Sequence, residues 1–185
     1  MITIHPTALV ATKRVGEGTR IWAFVNVLAG ATIGRDCNIC DRCFIENDVI
    51  LGDRVTVKCG VSLYDGVRLE DVVFVGPDVC FSNDPRPRSG VRPELPVKIV
   101  VREGSSLGAG AILLPGVTVG RFAIVGAGSL VTRDVPDFAL AYGAPARRHG
   151  FVCRCGQNLR FGEERAACVC GRAYLLSGGE DVSEA

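Results

Sequence analysis

The sequence predicts an all-β protein whose strands coil into a parallel β-solenoid, and three observations predict it. β-Branched residues dominate, with 25 Val and 10 Ile against one Met and one Trp, a bias that suits pleated strands and disfavours helix interiors. Glycine is frequent, 23 in 185 residues, more than strand interiors tolerate, so it belongs at recurring turns. The third observation is a fixed period. Leu9, Val15, Ile21, Val27, Ile33, Ile39, Ile45, Leu51, Val57, Leu63, Leu69, Val75 and Phe81 stand six apart and are all apolar. With about half of the residues apolar, chance gives such a series about once in 10⁴.

Four residues after most of these positions stands a small or branched residue, as in Ala31, Cys37, Cys43, Val49, Val55, Val61, Val67, Val73 and Val79. Each hexad therefore marks two inward positions, and Gly16, Gly34, Gly52 and Gly76 directly follow the first of them. One hexad holds a short strand and a turn, cannot bury its apolar face alone, and must stack on copies of itself. The series resumes with a two-residue phase shift at Val101, Leu107, Leu113, Val119, Val125 and Val131. An external loop, about residues 82–96, is thus inserted. It holds four Pro and three Arg, which makes it stiff and cationic, and Arg86, Arg88 and Arg92 offer planar forks suited to phosphate or carboxylate.

Length and charge bound the rest. A chain of 185 residues accommodates one main core and a small appendage, here a solenoid over 1–148 and a tail over 149–185. The net charge is +1, with no basic block, so neither nucleic acid nor an anionic membrane is expected as a partner. The longest uncharged run, Gly104 to Gly120, is interrupted by Gly and Pro, and no leader or spanning pattern is evident. The expected location is the cytoplasm.

The nine cysteines fall into groups. Cys37-x-x-Cys40-x-x-Cys43 follows the repeat, with Cys37 and Cys43 at inward positions, so it reads as core packing. Cys153-x-Cys155-Gly156 and Cys168-x-Cys170-Gly171 lie where the six-residue pattern has vanished. Four thiolates complete a tetrahedral zinc, and so small a tail needs such a staple to fold. Two disulfides or free thiols are the alternatives.

The pattern [LIV]-G-x-x-[small]-x over Ile4 to Arg148 resembles the hexapeptide acyltransferase family, and this resemblance implies a left-handed, triangular parallel β-helix with three hexads per coil. Within the family, Ile21-Trp22-Ala23-Phe24, Phe44-Ile45-Glu46-Asn47-Asp48, Lys58-Cys59-Gly60-Val61, Tyr64-Asp65-Gly66, Phe81-Ser82-Asn83-Asp84 with Pro87-Arg88-Ser89, and Gly143-Ala144-Pro145-Ala146-Arg147 are similar to the nucleotide-sugar 3-N-acetyltransferases. Acetyl-CoA is then the implied cosubstrate, the 3-amino group of a dTDP-linked 3-amino-3,6-dideoxyhexose or of a UDP-linked 3-amino uronate the implied acceptor, and a homotrimer with active sites between subunits the implied assembly. A non-catalytic assembly solenoid is the other reading the repeat allows. A carbonic anhydrase on this fold needs three His ligands, whereas only His5 and His149 exist. Ala23 and Asn26 stand where relatives often carry His, and Tyr64 where Trp is common.

A coil of three hexads stacks equivalent residues of successive coils at about 4.8 Å. Asn47, Asp65 and Asn83 then form a ladder, with Asp48, Gly66 and Asp84 on one side and Glu46, Tyr64 and Ser82 on the other. Asn and Asp also suit tight turns for their own sake. The ladder ends where the loop leaves, so Asn83 is assigned to orienting the reactants, Asp84 to accepting a proton, and Asp65 to supporting the ladder. Glu46, Tyr64, Arg86 and Arg88 are the expected sugar-nucleotide contacts. No His base lies at the ladder, but an amine with a pKa near roughly 8 is already partly neutral at cellular pH. Gly108-Ala109-Gly110 and Gly126-Ala127-Gly128 are stacked small-residue turns that leave room for a pantetheine arm and whose amides suit the thioester oxygen. Arg147 and Arg148 are expected at the CoA phosphates.

Overall fold

A computed structural model describes residues 1–91, 97–179 and 181–185. Among them no helix occurs, and the strands of the solenoid are two or three residues long. Three parallel sheets form its faces. The first face begins with Thr3–Ile4, Arg20–Ile21 and Asn38–Ile39, the second with Leu9–Val10, Asn26–Val27 and Phe44–Ile45, and the third with Thr32–Ile33 and Ile50–Leu51. The pairings Asn26↔Phe44↔Ser62 and Thr32↔Ile50↔Arg68 show that each regular coil is made of three hexads.

The period follows from the turns. At the two corners flanking the first face, one residue per coil sits in the left-handed region, among them Phe24, Asp36, Arg42, Arg54, Val72 and Asp78, with φ between 56° and 61°. Such a residue turns the chain sharply into and out of each first-face strand, which helps the inward positions recur with every hexad. The core is their continuous stack, from Ile21 and Val25 to Val135 and Ala141. Cys37 and Cys43 lie within it, as expected, and burial pushes the Cys43 thiol up to about 12. Aspartates tie neighbouring coils at the corners: Asp53 accepts from the backbone N–H of Arg35 at 2.8 Å and from its guanidinium at 2.9 Å. These contacts hold the Asp53 carboxyl below its usual range.

The structure corrects the start of the series. Leu9 pairs with Asn26 and faces outward, 70% exposed, while Val10 pairs with Val27. The first coil is one position short there, so Val10 takes the inward place expected of Leu9. Pairing also measures the insertion. Leu69 pairs with Val101 rather than with Pro87, its partner in an uninterrupted coil, so this coil is longer than the others by two hexads and two further positions. Arg92 lies outside the described residues.

The solenoid passes into the tail without a break. Ala139–Gly143 pairs in parallel with Ile124–Val125, turns through a cis Ala144–Pro145 bond, and pairs antiparallel with Ala146–Val152. That last strand runs through the expected boundary at 148/149. Arg165–Ala167, Ala173–Ser177 and Asp181–Glu184 make a small antiparallel sheet. A second apolar cluster unites Phe138 of the last coil with Phe151, Cys153, Leu159, Ala166, Cys168, Tyr174 and Val182.

Candidate active site

The expected ladder stands at the corner between the second and third faces, where Ser62 pairs with both Phe44 and Cys80. Its members are bonded from coil to coil. Glu46 Oε2 accepts from the backbone N–H of Asp65 at 2.8 Å, and Asp65 Oδ1 accepts from that of Asp48 at 2.5 Å. The Asn83 side-chain amide donates to the Asp65 carbonyl at 3.3 Å. Asn47 instead accepts from Gly30 N–H at 3.0 Å, a turn contact that links two coils. Tyr64 packs edge-on against Phe44, ring centroids 6.2 Å apart, and keeps part of its ring exposed.

The loop leaves this corner after Ser82. Asp84 Oδ1 accepts from the backbone N–H of Arg86 at 2.8 Å, which fixes the first turn of the loop and occupies one of the two carboxylate oxygens. Arg86 and Arg88 are exposed and form no ion pair among the described residues. Arg68, which sequence reasoning missed, reaches across the ladder from the third face to Asp48, 2.6 Å from its carboxylate. Its strand position resembles any outward residue of the repeat, so only the fold reveals the contact.

The small-residue turns lie at another corner, between the first and second faces. Gly76, Gly108 and Gly126 stack in one column, and coil stacking itself demands glycine there: a Cβ on Gly108 would lie 2.4 Å from Ala127 N, and one on Gly126 2.7 Å from Tyr142 Cβ. The expected amide donors narrow accordingly. Gly108, Gly110, Gly126 and Gly128 each give their N–H to a carbonyl of the neighbouring coil. Ala109 and Ala127 are exposed, and their N–H groups meet no acceptor among the described residues.

Tyr142 stands above Gly126 at the head of this column and stacks on His149, with centroids 3.7 Å apart and planes 9° from parallel. Sequence spacing hid the pair, because Val125 pairs with Ala141, two positions short of a regular coil, and His149 returns on an antiparallel strand. A cavity of about 130 Å³ opens beside the hairpin, lined by Arg133, Pro136, Ala146, Arg147 and Arg148. The two expected arginines differ. Arg147 bonds only the adjacent Ala146 carbonyl, whereas Arg148 donates to the Gly179 carbonyl at 3.0 Å and lies over the Phe151 ring. Arg133 is a cation that sequence reasoning missed.

In the tail, Cys153, Cys155, Cys168 and Cys170 converge, all four Sγ atoms within 4.8 Å of one another. The backbone N–H of Arg172 and the Cys153 thiol pull the Cys170 thiol down to about 6.

Comparison with known proteins agrees with this architecture. Residues 12–47 match the family described as bacterial transferase hexapeptide (six repeats). The chain is 53% identical over 176 residues to the dTDP-3-amino-3,6-dideoxy-alpha-D-galactopyranose 3-N-acetyltransferase of Aneurinibacillus thermoaerophilus, covering 95% of this chain and 92% of that protein. It is 35% identical to a galactoside O-acetyltransferase of Lactococcus lactis, covering 72% of this chain and 51% of that one. Among solved structures it resembles the GDP-perosamine N-acetyltransferase of Caulobacter crescentus in complex with CoA and GDP-perosamine, with TM-score 0.56 and 30% identity over 81% of this chain and 57% of that chain. Repeat, ordered motifs and a near full-length relative coincide, and the chain belongs to the hexapeptide-repeat acyltransferases, in the branch of the nucleotide-sugar N-acetyltransferases.

Proposed function

We propose that this protein transfers the acetyl group of acetyl-CoA to the 3-amino group of a dTDP-linked 3-amino-3,6-dideoxyhexose. One observation carries the site: the inserted loop leaves the solenoid at the column where Glu46, Asp65 and Asn83 are bonded from coil to coil. The choice of acceptor is supported by the relative that is 53% identical and bears that activity in its name.

The neutral amine attacks the thioester carbonyl, a C–N bond forms, the C–S bond breaks, and CoA leaves as the thiolate. The amine's proton passes to the free oxygen of Asp84, directly or through water, and ends on the thiolate. Asn83 orients the amine, so positioning supplies much of the rate. Arg86 and Arg88 grip the pyrophosphate of the sugar nucleotide, while Glu46 and Tyr64 contact the sugar. At the other corner the pantetheine arm follows Gly108 and Gly126, and the N–H of Ala109 or Ala127 holds the developing oxyanion. Tyr142 and His149 meet the adenine, and the phosphates lie between Arg147 and Arg133, the latter on the column of Asn83.

Within one chain these two corners lie at opposite edges of the second face. A complete site therefore takes its ladder from one subunit and its CoA corner from the next, which is the reason to propose a homotrimer. No helix among the described residues is long and apolar enough to cross a membrane, and we place the reaction in the cytoplasm with its acetyl-CoA. The zinc expected of the tail serves folding and takes no part in the transfer.

The experiment is a thiol-release assay with acetyl-CoA and a panel of amino-sugar nucleotides. Release is expected with the dTDP-linked 3-amino-3,6-dideoxyhexoses. Release only with a UDP-linked 3-amino uronate would reassign the acceptor, and no release with any amine would reject the proposal.

A further inference from the structure

The tail holds a ligand set that acetyl transfer does not use. Its four cysteines are unpaired, and their geometry differs from that of disulfides. Cys153 Sγ lies 3.4 Å from Cys170 Sγ, and Cys155 Sγ lies 3.5 Å from Cys168 Sγ, against about 2.05 Å for an S–S bond. A tetrahedron with Zn–S bonds of about 2.3 Å has edges of roughly 3.8 Å. The sulfurs are thus spaced close to a metal's ligand shell, and these two pairs each join one Cys-x-Cys-Gly turn to the other.

The two turns are built alike. Cys153 N–H donates to the Gln157 carbonyl at 2.8 Å and Gly156 N–H to the Cys153 carbonyl at 2.8 Å. Cys168 N–H donates to the Arg172 carbonyl at 2.8 Å and Gly171 N–H to the Cys168 carbonyl at 2.9 Å. Gly156 and Gly171 close them with φ of 87° and 90°, conformations that a side chain would strain. The surroundings suit a thiolate cluster. The wholly buried Tyr174 places its hydroxyl 3.1 Å from Cys153 Sγ, and Arg172 donates to Cys170 Sγ at 3.3 Å.

The same residues grip the end of the solenoid. Tyr174 packs on Phe138 and Phe138 on Phe122, with ring centroids 5.4 Å apart in each case, while Arg154 lies over the Phe122 ring at 4.3 Å. Phe122 and Phe138 are corner residues of the last two coils. Val152 N–H donates to the Phe138 carbonyl at 2.7 Å.

We propose that Cys153, Cys155, Cys168 and Cys170 bind one Zn²⁺ ion, and that the metal clamps the tail as a cap over the last coil. A solenoid's terminal coil presents an open edge that must be covered. The two Cys-x-Cys turns come from separate segments that share only a small apolar cluster, so the ion supplies the cross-link between them.

Elemental analysis of the reduced, full-length protein is expected to find about one zinc per chain. A mercurial thiol reagent should release it, and cobalt added to the apo protein should give the intense thiolate charge-transfer bands of a tetrahedral S₄ site. Cys155→Ser, at an exposed ligand, should lower the zinc content at least about ten-fold, while Cys80→Ser, an exposed cysteine outside the cluster, leaves it unchanged. In the apo protein, amide exchange should accelerate about ten-fold or more across 138–152 while strands up to Val131 stay protected. A metal content at background together with no cobalt spectrum from the wild-type protein would overturn the site, as would intact-mass evidence for two disulfides. Zinc without the local change in exchange would overturn the cap. None of these readouts depends on acetyl transfer, so either proposal can fail alone.

Discussion

The ring of Tyr142 lies flat on that of His149, centroids 3.7 Å apart, directly above the glycine column at the corner between the first and second faces. Stacking of a base on an aromatic ring is worth about 1–3 kcal/mol. Tyr142→Ala is therefore expected to raise the KM for acetyl-CoA about ten-fold and to leave that of the sugar nucleotide unchanged. S-acetylpantetheine, which lacks adenine, should react equally with both proteins. An equal loss with both thioesters would remove the adenine from this corner.

Arg133 and Arg147 share a cavity wall, whereas Arg148 is engaged by the Gly179 carbonyl and the Phe151 ring. Arg133→Ala with Arg147→Ala should raise the KM for acetyl-CoA about ten-fold or more with little change in kcat, because phosphate contacts contribute uniform binding. Arg148→Ala should instead lower the melting temperature by a few degrees, as loss of about 1 kcal/mol does in a chain of this size. If only the sugar KM rises in the double variant, the CoA end has been placed at the wrong corner.

Asn83 and Asp84 should respond differently to pH. Asn83→Ala removes an orienting amide and its bond to Asp65, so kcat should fall about 10²-fold at every pH. Asp84→Asn keeps an oxygen for the Arg86 N–H and loses only the basic site. Its activity should recover as pH rises past roughly 8, where the amine is neutral unaided. Steady-state rates across neutral and mildly alkaline pH check both, and near wild-type turnover of the two variants at neutral pH would shift the site down the ladder to Asp65, Asp48 and Glu46.

A site shared between subunits predicts complementation. Light scattering should give about three times the 19.6 kDa chain mass. Co-expressing Asn83→Ala with Tyr142→Ala should yield mixed trimers more active at low acetyl-CoA than either parent, since some interfaces then combine an intact ladder with an intact CoA corner. Activity no higher than the average of the parents would confine each site to one chain.

The repeat made the solenoid legible because its sharp corners and alternately buried strand positions recur together, so local sterics repeat with the chain. The column of Asn47, Asp65 and Asn83 was legible for the same reason, because a fixed coil length stacks equivalent positions, but its bonds were not: Asp65 is held by Glu46 of the neighbouring column and Asn47 turns to Gly30. Arg68, Arg133, Tyr142 and His149 were not. Their positions depend on a neighbouring face, the lengthened coil that carries the loop, a shortened last coil and an antiparallel return, none of which has a periodic signature.

The sequence by itself determined the hexad period, the core that runs along it, and the gathering of four cysteines beyond its end, because these rest on side-chain size and chemistry at each position. Tertiary structure alone decided the lengths that a period cannot state. A hexad frame leaves whole added hexads uncounted, so the phase shift and the Pro- and Arg-rich stretch placed a loop at about 82–96, while the pairing of Leu69 with Val101 fixes the coil as longer by two hexads and two positions. Likewise Leu9 and Val10 are both apolar, and only pairing with Val27 turns Val10 inward. Hydrogen bonding between coils is what selects among registers that hydrophobicity leaves equivalent.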